Sequence, residues 1–283
     1  MCHLLPIIHP PSGLPKAGKI VDKVTSDFDF FIPFRQHAPS LKNARREIYA
    51  NLGHCDDGIG FFNILAFRGV FFGSPFAQSK HFRWFESLDD WKHFQATGRE
   101  EALNVGGREE EYYVKKNCYG RTQKDRGLKL LPMYWAQRGS WNQIFQESTT
   151  PTVEQVYNWL ISKEKGVSKF YNIGSLTALL ICGDLIKADI MPMPSSHELG
   201  QLIYKVGRGA KDGMRMLGLV SEEVNGEDFC TAFSSLDAYL ENGLGDERKK
   251  AMGYNVVMLE HALCKIKRLT SHKVSLDNIF TEI

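Results

Sequence analysis

Residues 165–185 constrain the fold of this chain more than any other stretch. An apolar helix ends, a tight turn passes through Asn172 and Gly174, and a second apolar helix begins at Ser175, carrying a single acid, Asp184. The pattern is that of a helix–hairpin–helix unit. Gly and Asn tolerate the positive backbone angles such a turn needs, and the free N–H groups at the start of the new helix suit a phosphate. Asn172, Gly174 and Ser175 are therefore candidate contacts to a DNA backbone. A plain structural hairpin between two packed helices has the same sequence signature and stays open at this stage.

Composition narrows the choice of partner. The net charge of the 283 residues is only +2, which excludes a strongly basic, non-specific nucleic-acid binder and leaves room for a local basic face. Six cysteines, at 2, 55, 118, 182, 230 and 264, form no C-x-x-C pair, so free thiols in a reducing compartment are expected rather than a disulfide framework or a zinc site. No window approaches the roughly 18 consecutive apolar residues of a membrane span, and Pro6, Pro10, Pro11 and Pro15 make a poor signal peptide. The expectation is a cytoplasmic protein (the host cytosol, for a viral one) or a nuclear one, with no membrane partner, metal or cofactor.

Apolar segments of helical period dominate and no βαβ alternation occurs, so the expected class is mainly α. Residues 1–26 read as an extended arm, 27–149 as an aromatic-rich helical half, and 150–283 as a half built on the hairpin and a C-terminal helix, the last two forming one compact unit. Within the arm, residues 13–20 match G-x-x-x-x-G-K but place Ile20 where a phosphate-binding loop needs a hydroxyl, and Pro15 removes an amide donor. Residues 41–52 read as a helix. From Ile59 to Phe71 the run is almost continuously apolar except for Asn63 and Arg68, which need partners inside a buried helix. Residues 81–94 repeat aromatics at helical spacing. Residues 98–127 read as irregular and solvated, with Tyr112, Tyr113, Tyr119 and the basic residues after Val114 available to a DNA backbone.

Thr152 and Ser195 begin helices, the latter with Glu198 completing a capping box, and Pro192 and Pro194 stop the second hairpin helix. The turn Gly207-Arg208-Gly209 lets backbone approach a ligand, while Lys205, Arg208, Lys211 and Arg215 gather positive charge suited to phosphate oxygens. A helix break explains the glycines equally well. In the C-terminal helix, Glu260, His261, Lys265, Lys267 and Arg268 fall off the apolar stripe and read as a solvated face.

Three of these stretches, in order, resemble the alpha-glutamyl/putrescinyl thymine pyrophosphorylases, described in phages as amino acid:DNA transferases, whose helical domain is similar to that of helix-hairpin-helix DNA glycosylases. The family pattern is roughly G-x-F-x-A-Y-Q-I-x-x-D-L, G-P-G-A-x-x-G and E-x-x-L-C-E. Residues 174–185 match the first at its Gly, Ala, Ile, Asp and Leu positions, residues 207–213 fit the second, and residues 260–265 fit the third. Leu179 and Leu180 replace an aromatic and an amide, Arg208 replaces the proline, and Lys265 replaces the last acid. Residues 62–68 also look like the family's aromatic-asparagine-arginine helix.

The resemblance implies transfer of an amino acid or amine onto a pyrophosphorylated 5-hydroxymethyluracil in DNA, with loss of diphosphate. Its partners would be DNA, a small donor and other base-modification enzymes. It implies Asp184, Glu260 and His261 as catalytic candidates, Asn63, Arg68, Lys205, Arg208, Lys211 and Arg215 as substrate-binding ones, and Asn172, Gly174, Ser175, Gly207 and Gly209 at the DNA. A DNA glycosylase and a non-catalytic DNA-binding module are the alternatives, and a buried structural pair of Asp184 with Arg68 is an equally consistent reading of those two residues. A glycosylase aspartate, about twenty residues past the hairpin, would fall on Pro194 or Ser195.

Overall fold

The computed structural model describes residues 19–54, 58–145 and 150–270. The chain is mainly helical. It divides into two compact units, one holding the described residues up to Ala38 and from Pro194 onward, the other residues 39–193. The 165–185 stretch therefore belongs with the aromatic-rich half. Of the loop-like match at 13–20, residues 13–18 lie outside the described part.

The first unit opens with α1 (Lys19–Ser26) and α2 (Phe28–Phe31), so the described end of the expected arm is helical rather than extended. The second unit then holds α3 (Pro39–Glu47), α4 (Ile59–Ala66), α5 (Leu88–Thr97), α6 (Arg99–Gly106), α7 (Glu109–Tyr113), α8 (Leu130–Gln137), α9 (Val153–Ile161), the two-residue strands β1 (Lys163–Glu164) and β2 (Val167–Ser168), and α10 (Ser175–Lys187), with two further short helices, Pro75–Gln78 and Trp141–Phe145, between them. The chain returns to the first unit with α11 (Ser196–Val206), α12 (Ala210–Met216), α13 (Gly226–Gly243), α14 (Asp246–Met252) and α15 (Val256–Thr270).

Local signals place several of these elements. Thr152 and Gln155 close a reciprocal capping box at α9, and Ser195 and Glu198 do so at α11. Positive φ at Gly207 stops α11, as a left-handed C-cap glycine does. The apolar run from Ile59 forms α4 and then loosens into a π-turn, Phe67–Phe71, in which the Phe72 N–H bonds the Phe67 carbonyl.

Three sequence expectations need correction. The residues before Leu88 in the 81–94 segment are not helical, because Phe82, Trp84 and Phe85 are buried from a non-helical stretch. Residues 98–127 are not a solvated loop: α6 and α7 run through them, and Tyr112, Tyr113, Tyr119 and Arg126 are buried. These tyrosines line the core instead of facing a partner; the Tyr113 ring lies 5.0 Å from Trp91 and 5.2 Å from Phe76. Finally, Glu260, His261 and Lys265 on α15 are buried, not solvated.

Candidate functional site

In the second unit the π-turn sets the geometry. Widening the helix by one residue withdraws the Arg68 carbonyl from the normal ladder. The Tyr119 hydroxyl and Arg126 Nη1 each donate to it at 2.9 Å, and Arg126 Nη2 donates to the Phe72 carbonyl. The Arg68 side chain crosses to α10, where Nε donates to Asp184 Oδ2 and Nη2 to Oδ1, both at 2.5 Å. Tyr49 donates its hydroxyl to the same Oδ1 at 2.6 Å. Arg68 and Asp184 are both 0% exposed. Burial opposes the guanidinium charge, but the adjacent carboxylate outweighs it and holds the Arg68 pKa well above its ordinary value. The Phe67 and Phe72 rings flank the guanidinium carbon at 5.1 and 4.8 Å.

These bonds place Asp184 and Arg68 as two halves of an internal brace. Asn63 has a similar role: its amide donates to the Ile59 and Phe85 carbonyls and its oxygen accepts from the Phe85 N–H at 3.0 Å. The residues named from sequence as base and substrate contacts in this unit thus spend most of their polar atoms inside the fold, with Arg68 Nη1 buried and unpaired.

The connection between α9 and α10 is more elaborate than a bare turn. Residues 163–168 form a β-ribbon, pairing Lys163 with Ser168 and Glu164 with Val167. Asn172 then takes φ +61° and Gly174 caps α10 with no side-chain hydrogen bond. Gly174 and Ser175 are exposed and the first turn of α10 carries no acid. The turn is held from α8: Tyr134 donates to the Tyr171 carbonyl at 3.0 Å, and the Gln137 amide donates to the Lys169 carbonyl. Tyr134 passes so close to Gly69 of the π-turn that a Cβ there would lie 2.2 Å from its hydroxyl. The same five-residue turn therefore contacts both the last turn of α10, through Arg68 and Asp184, and the approach to its start, through Tyr134.

In the first unit two separate motifs meet. α12 lies against α15 closely enough that a Cβ on Gly213 would fall 2.2 Å from the Leu263 carbonyl oxygen. Gly209, at φ +69°, approaches the Cys264 sulfur, 3.0 Å from where a Cβ would sit. The glycines of residues 207–213 thus have packing and turn-forming reasons to be there. On α15, Glu260 Oε2 and His261 Nδ1 are 2.5 Å apart, and Arg35 Nη1 is 3.4 Å from the same nitrogen. The shorter contact assigns the Nδ1 proton toward Glu260. Lys265, 1% exposed, donates to the Asp29 carbonyl at 3.1 Å and to the Phe30 carbonyl, so its amino group closes the C-terminal end of α2. Burial, then the charges of Arg35 and Arg268, push its pKa well below the usual lysine value.

The basic residues around the glycine turn divide by environment. Lys205 and Arg208 are exposed, and Arg208 makes no ion pair among the described residues. Arg215 is committed to Asp212, to Glu222 and to the Glu222 carbonyl. Lys211 stands 3.8 Å from the Tyr204 ring centroid; burial and then Arg215 lower its pKa. Sequence reasoning missed Tyr49, Tyr134 and Arg35, each isolated in the chain from the residue it serves, and missed the ribbon, whose Lys-Gly turn signal sits among residues read as the end of a helix. No protein-family model, no curated protein and no solved structure matches the chain.

Proposed function

We propose that this protein modifies DNA, transferring an amine or amino acid to a thymine-derived base that carries a diphosphate leaving group. The observation that supports the reading is the pairing of the stretches that carry the family resemblance. Residues 62–68 join residues 174–185 through Arg68 and Asp184, and residues 207–213 pack on residues 260–265 through Gly209, Gly213, Leu263 and Cys264. A helix–hairpin–helix role for α9 and α10 belongs to the same proposal, with Asn172, Gly174 and Ser175 at the phosphates.

In this reading the donor nitrogen attacks the exocyclic carbon, the carbon–oxygen bond breaks, and diphosphate leaves with the electron pair. Arg208, Lys205 and Lys211 carry the cationic charge that a departing diphosphate requires. The Glu260–His261 pair, enclosed on α15, is the acceptor for the proton lost from nitrogen, and Asp184 serves as the brace. Nucleoside mass spectrometry on DNA bearing pyrophosphorylated 5-hydroxymethyluracil, incubated with amino acids and polyamines, tests this. A new adduct mass that disappears in Arg208→Ala supports it. Unchanged nucleosides beside a working positive control reject it, and loss of the base indicates a glycosylase.

A non-catalytic DNA-binding module is the second reading, favoured by the internal commitment of Asp184, Arg68 and Asn63. It expects salt-dependent DNA binding with no product at all.

A further inference from the structure

We propose that the β-ribbon of residues 163–168 is a wedge that enters duplex DNA, with Val167 inserted at a base step and Lys163 and Lys165 on the flanking phosphates. The inference rests on the reading of this chain as a DNA-acting protein and adds to it a means of opening the duplex.

The ribbon is a formed element with nothing to bury. Lys165 and Gly166 take φ of +51° and +83°, the two positive angles of a tight hairpin turn whose twist matches its strands. Its base is tied down by the Lys169 N–H on the Ser162 carbonyl at 2.9 Å and by the Gln137 amide on the Lys169 carbonyl. Every residue from 163 to 168 is exposed, so no core contact accounts for the apolar side chain at its end. Val167 is 66% exposed, and Tyr171, on the same connection, is 38% exposed.

The charges around Val167 select the partner. Three lysines, at 163, 165 and 169, stand against one acid, Glu164, and that acid is turned to Lys169 at 3.4 Å. A small apolar tip set in excess positive charge matches a polyanion with stacked apolar faces beneath its phosphates. Apolar side chains that enter between base pairs in this way unstack the step and kink the duplex. Unstacking lowers the cost of extruding a neighbouring nucleotide, which an enzyme acting on a base atom must meet.

The test uses the full chain and a duplex containing 2-aminopurine, read by anisotropy for binding and by base fluorescence for unstacking. The wild type is expected to bind and raise the fluorescence. Val167→Ser should bind within about threefold of the wild type but leave the fluorescence at the level of free duplex, and Val167→Ile should restore the rise. Lys165→Ala should weaken binding and reduce the slope of log K against log salt by about 1. A Val167→Ser protein that unstacks the base as the wild type does overturns the wedge while leaving DNA action intact. A wild type silent in both signals overturns the DNA reading itself, and the wedge with it.

Discussion

Arg68 and Asp184 are 116 positions apart in the chain and meet through two bonds of 2.5 Å with both side chains fully buried. A buried pair of this kind adds modestly to stability relative to apolar replacements, but removing one member strands the other's charge in the interior. Asp184→Asn is therefore expected to lower unfolding free energy by about 3–5 kcal/mol in urea titrations. Tyr49→Phe, which removes one donor to the same carboxylate, should cost about 1.5–3 kcal/mol. If Asp184→Asn unfolds at the same urea concentration as the wild type, the brace is not structural.

The close approach of α12 to α15 makes a different prediction. An alanine at Gly213 drives a methyl into the Leu263 carbonyl, a backbone atom that cannot rotate aside, so Gly213→Ala should cost toward the upper part of the about 1–3 kcal/mol typical of overpacking. Gly243→Ala, at the end of α13 where a Cβ meets nothing within 4 Å, should be neutral or stabilising by up to about 1 kcal/mol. Melting temperatures of the two variants give the contrast directly.

Lys265 links stability to pH. Its pKa in the folded protein lies below that of the unfolded chain, so between the two values the unfolded state binds more protons and stability rises with pH. Below the folded value both states are charged and the native state carries the full burial cost. Lys265→Met abolishes this titration but also the two bonds to the α2 carbonyls. The stability difference between wild type and Lys265→Met should therefore widen in favour of the wild type as pH rises through the lowered pKa. A difference that stays flat from neutral pH to about pH 10 would contradict the assignment.

Under the proposed chemistry, Arg208 and Asp184 should fail in distinguishable ways. Arg208 is exposed, so Arg208→Ala should keep its melting temperature and lose about 100-fold in adduct formation, the scale expected for removing one donor to a developing anion. Asp184→Asn should lose activity in proportion to its loss of folded protein. Restored activity of Asp184→Asn at low temperature, where the folded fraction recovers, would separate the brace from a proton acceptor.

Much of the local architecture was legible in the chain because its causes are local. The helix starts at Thr152 and Ser195 and the mainly helical class follow from hydroxyl caps and apolar period within a few residues. The need of Asn63 and Arg68 for internal partners was legible too, since an apolar helix cannot bury them alone. A buried Asp184 paired with Arg68 was one reading open in the sequence; that this pairing forms, and that Asn63 bonds Phe85, was decided only in three dimensions. Arg68 reaches Asp184 because the π-turn rotates it toward α10, and a one-residue widening leaves no periodicity signal in the sequence. Likewise Glu260, His261 and Lys265 resembled a solvated face because charge alone cannot report that α2 and Arg35 lie over it. The sequence determines where the backbone turns and which faces are apolar, through interactions between near neighbours. Only tertiary packing decides which charges are enclosed, because that depends on elements brought together from distant parts of the chain.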